Sequence, residues 1–229
     1  MSDDNDSDKP YDPTPRKLED ARKKGEIAKS ADLSTAAGYG GFLLTALFVG
    51  GASVTKLGDL FANLVSQSDQ ISPLFFDGHG GTPMGNVLRS VVWSIAPWFV
   101  IPAACVLVVI LAQRAFVVAP DKLQLKASRI SPLSNAKNKF GRAGLFEFAK
   151  SFVKLVTYSC CLGIFLSSRL DEMSGAVFGN PHIASMMLAE LCIDFLFVVL
   201  IVAVCIGGID YLWQRFEHTR KNMMSRKEL

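Results

Sequence analysis

Two pairs of apolar runs, set apart by one long basic interval, limit what this chain can fold into. Leu33 to Val54 and Val91 to Ala112 carry no charged residue. Each has about the length a helix needs to cross a hydrocarbon core. Leu155 to Ser168 and Ile183 to Ile209 make up the second pair. Between the pairs lies Ala119 to Lys154, the longest polar interval inside the chain, with eight of the 24 Lys and Arg residues. Half of all residues are hydrophobic and the charges crowd into a few intervals, which argues against a water-soluble domain. The expected fold is an all-α membrane protein, with four hydrophobic helices arranged as two helical hairpins joined by a cytoplasmic loop. The expected divisions are an acidic tail and basic helix over 1–30, a first helix pair over 31–118 and a connecting loop over 119–144. A second helix pair over 145–210 and a charged linker helix over 211–229 follow.

The basic residues give the expected orientation. Met1 to Ala31 holds seven, Arg114 to Lys154 nine, and Trp213 to Leu229 five. The opposite loops hold Lys56 and Arg89, then Arg169. Cytoplasmic loops carry the excess of Lys and Arg, so both termini and the connector are expected in the cytoplasm.

Local signals add detail. Met1 to Asp12 is acidic and nearly free of apolar residues, the make-up of a disordered tail and not of a secretory signal. Thr14 followed by Pro15 predicts a helix start, and Gly25 a helix end. Leu18 and Ala21 give that helix a thin apolar face, suited to a membrane surface or a partner, or merely to solvent. Ser30 is a second candidate N-cap. Gly38, Gly40, Gly41, Gly50 and Gly51 mark either close helix packing or a hinge. Lys56 to Arg89 is polar and turn-rich, and Leu57, Leu60, Phe61, Leu64 and Val65 suggest a short amphipathic helix on the far membrane surface. His79 reads as a loop residue. Pro97 and Pro102 predict a kink or an interrupted helix in the second run. Trp93 and Trp98 suit an aromatic belt, and Arg114 stands where its side chain can reach the headgroups.

The second pair is less apolar. The turns from Leu145 that lengthen the third run carry Glu147, Lys150 and Lys154, and the fourth carries Glu190 and Asp194 one turn apart. Charges at membrane depth are costly unless they face protein, water or each other, so these helices are expected to be buried in an assembly. Glu190 and Asp194 are candidates for a proton relay or for contacts to partner subunits. Asp210 matches Lys154 and Arg114 in depth, and a Lys154–Asp210 pair is expected.

Other chemistry finds no footing. A net charge of +3 is too small to suggest nucleic acid. Cys105, Cys160, Cys161, Cys192 and Cys205 all lie in apolar runs without CxxC spacing, against disulfide frameworks and zinc sites. No P-loop, GxSxG, HExxH or dinucleotide fingerprint occurs. No cofactor and no metal are expected. The interrupted second run has no counterpart in the fourth, which weakens a small-molecule carrier.

Two stretches carry a resemblance. Pro13 to Leu33, PTPRKLEDARKKGEIAKSADL, resembles the N-terminal signature of the export-apparatus switch proteins of type III secretion systems, FlhB in flagella and SctU in injectisomes. Phe116 to Leu155 is similar to that family's cytoplasmic loop. There P-L-x-G-x-K-x-x-F is matched by Pro132, Leu133, Lys137 and Phe140, with Asn135 where the family has glycine. L-x-E-x-x-K-S-x-x-K is matched by Leu145, Glu147, Lys150, Ser151 and Lys154. The connector looks closer to the flagellar branch. The resemblance implies a multi-pass subunit of a protein-export gate in the bacterial inner membrane. Its loop would wrap the channel entrance through Pro132, Leu133, Lys137, Lys139, Phe140, Arg142, Glu147, Lys150 and Lys154. The implied partners are the FliP-, FliQ- and FliR-type gate subunits or their injectisome equivalents, an FlhA-type subunit, exported proteins and lipid. Family members continue into a domain that cleaves itself at Asn-Pro-Thr-His. Asn180-Pro181-His182 lacks the Thr, so no autocleavage and no enzymatic activity are expected of this chain. A transporter or proton channel using Glu190 and Asp194, and a structural assembly factor, are the competing classes.

Overall fold

The computed structural model describes residues 11–76, 81–117, 142–177 and 181–225. Pro132, Leu133, Lys137, Lys139 and Phe140 lie outside these residues, as does His79, and only the backbone of Arg142 is described.

Helix α1, Pro15–Lys23, begins as its sequence predicts, with the Thr14 hydroxyl accepting the Lys17 N–H at 3.4 Å and proline in the first turn. It ends in a Schellman motif, where Gly25 at φ 74° donates to Arg22 O and Glu26 donates to Ala21 O. α2, Ala31–Thr45, starts at the Ser30 cap. It runs through a single wide turn, Ala46–Gly50, into α3, Gly51–Ser66, making one 36-residue helical stretch. The amphipathic positions Leu57 to Val65 are therefore helical, but as the continuation of the first helix and not as a separate surface helix. Lys56 is a single charge and itself a good helix former, and neither proline nor a capping turn follows it until Ser66.

α4, Ser68–Phe76, and α5, Gly81–Ile95, occupy much of what reads as turn-rich sequence, with Pro73 inside α4. α6, Pro97–Ala112, follows a break at Ala96. Pro97 brings no N–H to the ladder, which interrupts the helix there while Ala96 keeps right-handed helical angles. Pro102 stays inside α6 and is buried. α7, Arg142–Val177, takes in both the amphipathic turns and the third apolar run. α8, Pro181–Lys221, carries the fourth run and the first part of the charged segment as one 41-residue helix.

α2 is the hub, packed against α6 on one side and α8 on the other, while α7 packs on α8 and α3 on α5. Glycine makes both approaches possible. A Cβ on Gly41 would run into the backbone of Pro102, and one on Gly207 would lie 2.8 Å from the backbone of Leu33. In lipid no hydrophobic effect drives helices together, and this kind of backbone approach supplies the contact instead. Gly51 has open space around it, so the glycine stripe is a packing face only in part. The wide turn lies within that stripe, between Gly41 and Gly51, and includes Gly50. Four stretches are long and apolar enough to cross a membrane: Ala31–Ser66, Met84–Ala112, Glu147–Gly175 and His182–Lys221. Among the described residues strand pairing is confined to one isolated bridge, Tyr11 with Met224.

Candidate functional site: a polar cluster where the helix ends meet

The start of α2, the end of α6, the first third of α7 and the last third of α8 converge on one polar cluster. Ser30 is at its centre and is 1% exposed. Its hydroxyl donates to Asp210 Oδ2 at 2.6 Å and accepts the Leu33 N–H at 3.2 Å, while its own N–H donates to Gln113 Oε1 at 2.8 Å. One capping residue thus binds α2, α6 and α8 together. Its neighbour Asp32, in the first turn of α2, receives Lys154 Nζ from α7 at 2.5 Å. Lys150, one turn before Lys154, stands 3.8 Å from Asp210 Oδ1. Asp210 is 13% exposed and the other three charged side chains 25–32%, so both pairs are partly withdrawn from water. Charges held this way interact more strongly than surface pairs and are screened less by salt.

This corrects one expected pairing. Lys154 and Asp210 do belong to one layer, but Lys154 bonds Asp32 and Asp210 takes Lys150 and Ser30. Asp32 escaped notice because it reads as an ordinary N-terminal acidic residue beside a cap. Its polar neighbours on α7 lie more than a hundred positions away in the chain. Glu147 is exposed on α7, its backbone carbonyl accepting the Ser151 hydroxyl at 3.0 Å. Arg114 follows α6 in the left-handed region at φ 52° and closes that helix in the same motif that Gly25 closes α1.

A second ionic layer lies at the other end of the α7–α8 pair. Arg169 donates to Asp194 Oδ2 at 2.8 Å and to Glu172 Oε2 at 3.0 Å. Glu190, one turn from Asp194, is exposed and joins no ion pair among the described residues. Asp194 and Asp210 are about 24 Å apart along α8, and Lys154 and Arg169 about 22 Å apart along α7, at the helical rise per residue. No charged residue falls between them on either helix. The Phe165 and Phe195 rings meet in that interval, with centroids 5.2 Å apart. On the first pair the charge-free intervals, Asp32 to Lys56 and Arg89 to Arg114, measure roughly 36 Å on the same rise.

The N-terminal segment docks on the far end of α8. Tyr11 and Met224 exchange backbone hydrogen bonds at 2.9 and 3.3 Å, Lys17 Nζ reaches Met223 O at 3.4 Å, and His218 Nε2 lies 3.0 Å from Glu26 O. The thin face of α1 is used here, with Ala21 buried. Among the described residues no group of His, Cys, Asp and Glu side chains is arranged to hold a metal ion.

Helices of this length and apolarity, tied at their ends by buried polar contacts, define a polytopic helical membrane protein. The chain belongs to the FlhB HrpN YscU SpaS family, whose sequence profile matches residues 7–229. It is 25% identical over 221 residues to the Yop proteins translocation protein U of Yersinia pestis, covering 95% of this chain and 60% of that one. Identity is 27% over 237 residues to the flagellar biosynthetic protein FlhB of Yersinia enterocolitica, covering all of this chain and 59% of the relative. It is 29% over 232 residues to the hypersensitivity response secretion protein HrcU of Ralstonia nicotianae, covering 95% and 60%. The chain therefore spans about three-fifths of the length of the curated relatives it matches. Those relatives are type III secretion export components.

Proposed function

We propose that this chain is a non-enzymatic membrane subunit of a type III protein-export gate, its connector lying at the channel entrance and regulating the passage of protein substrates. The family match over residues 7–229 carries the reading. The polar cluster supports a mechanism for it. The connector over 119–144 leaves from α6 just past Gln113 and returns at α7 just ahead of Lys150 and Lys154. Both of its roots are bonded to the start of α2, through Ser30 and Asp32. Movement of the connector would pull on one shared joint rather than on two separate hairpins.

In this reading the bacterial inner membrane holds the helices as two hairpins, with the cluster at the cytoplasmic side and both termini in the cytoplasm. The layer of Arg169 and Asp194 then lies at the opposite edge. The second pair has a charge-free slab of only about 23 Å against a hydrocarbon core of roughly 30 Å. Such a slab suits helices that pack against neighbouring gate subunits better than helices ringed by lipid. Membrane neighbours of the FliP, FliQ, FliR and FlhA kinds are the proposed partners. The engagement of Asp194 by Arg169 counts against a proton path through Glu190 and Asp194. Deleting Ile130 to Arg142 tests the gate role. Export should fall to background while the chain still enters the membrane, and export at normal levels would refute the role.

A further inference from the structure

The ends of α6 and α8 and the helix α1 line an open cavity of about 590 Å³. Three arginines line it, Arg22 on α1, Arg114 after α6 and Arg215 on α8. None of the three is in an ion pair among the described residues. The one carboxylate in the lining is Glu26, so the cavity carries an excess of two positive charges apart from His218. Gln113 also lines it. Its Oε1 is taken by the Ser30 N–H, and its Nε2 is buried behind the cavity wall with no acceptor among the described residues. Gln113 itself is 8% exposed. Three cations gathered at one opening with a single opposing carboxylate favour an anion there.

The cavity also has an apolar side, Leu18, Ile27 and Ala112, and opens at the point where the apolar part of α6 gives way to polar sequence. We propose that it binds the phosphate headgroup of an anionic phospholipid, with the acyl chains leaving along α6 and α8. A lipid there would brace α1 and the shared joint from the membrane side. The proposal goes beyond the gate reading and does not depend on which subunits surround the chain.

The test is native mass spectrometry of the full chain released from nanodiscs of mixed phosphatidylglycerol and phosphatidylcholine. Retention of phosphatidylglycerol over phosphatidylcholine is expected, falling about five-fold for each guanidinium replaced in Arg114→Gln and Arg215→Gln. The paired replacements Lys23→Gln on α1 and Lys221→Gln on α8, both outside the cavity lining, should keep the preference. Thermal unfolding of the unaltered chain gives a readout free of folding defects. Phosphatidylglycerol should raise its midpoint, and inorganic phosphate added to phosphatidylcholine discs should not. No preference, equal loss in the lysine variants, or full protection by inorganic phosphate would each overturn the proposal. So would a preference that emerges only after removal of residues 1–10, since the acidic start of the chain would then be the occupant.

Discussion

Lys154 shows what a single residue does in this fold and what sequence can say about it. Its position at the root of the connector, level with Asp210, is legible from counting residues inward along the apolar runs. Its partner is not, because the choice between Asp32 and Asp210 depends on how far α2 slides along α7 and α8. Gly207 meets the backbone of Leu33 at the junction of α2 and α8, a contact between positions far apart in sequence. The pair is intermediate in burial. Removing one partner should therefore cost about 1–3 kcal/mol, between the values for exposed and buried ion pairs. Asp32→Lys and Lys154→Asp should each lower the thermal midpoint of the purified protein, and the double swap should recover at least half of the loss. A swap of Lys154 with Asp210 should recover little. Equal rescue by both swaps would mean the cluster responds to net charge and not to the pairing described.

At the scale of the element, punctuation was easy to read and continuity was not. Thr14, Pro15, Gly25 and Ser30 all act where local chemistry puts them, because a cap or a left-handed turn needs only neighbours in sequence. The run from Lys56 to Ser66 misleads, since a polar stretch with amphipathic spacing fits a separate helix as well as an extended one. Packing of α3 against α5 favours the extension. The glycines divide in a way that spacing alone does not reveal. Gly41→Ala should destabilise by about 1–3 kcal/mol, as its Cβ meets the backbone of Pro102, which has no side-chain freedom to yield. Gly51→Ala, in open space within a helix, should be neutral or stabilise by roughly 0.5–1 kcal/mol. Unfolding midpoints of the two variants in the same detergent decide the matter, and similar losses in both would remove the distinction.

Across the whole molecule, the four apolar stretches and their order are plain in the sequence because membrane-length runs of uncharged residues have few other uses. The arrangement of the second pair is harder to read. Its carboxylates look like charges buried at membrane depth until Arg169 is seen to meet Asp194, which turns them into one edge of a short apolar slab. That edge and the opposing cluster give the chain two ends, and the proposed function requires the cluster end, with its basic connector, to face the cytoplasm. A cysteine in place of Lys137, in a chain whose five native cysteines are replaced by serine or alanine, measures this directly. Treated with a membrane-impermeant maleimide, the residue should stay unlabelled in cells whose inner membrane is intact and label fully once that membrane is opened. Labelling in intact cells would put the connector on the wrong side of the membrane and contradict the account.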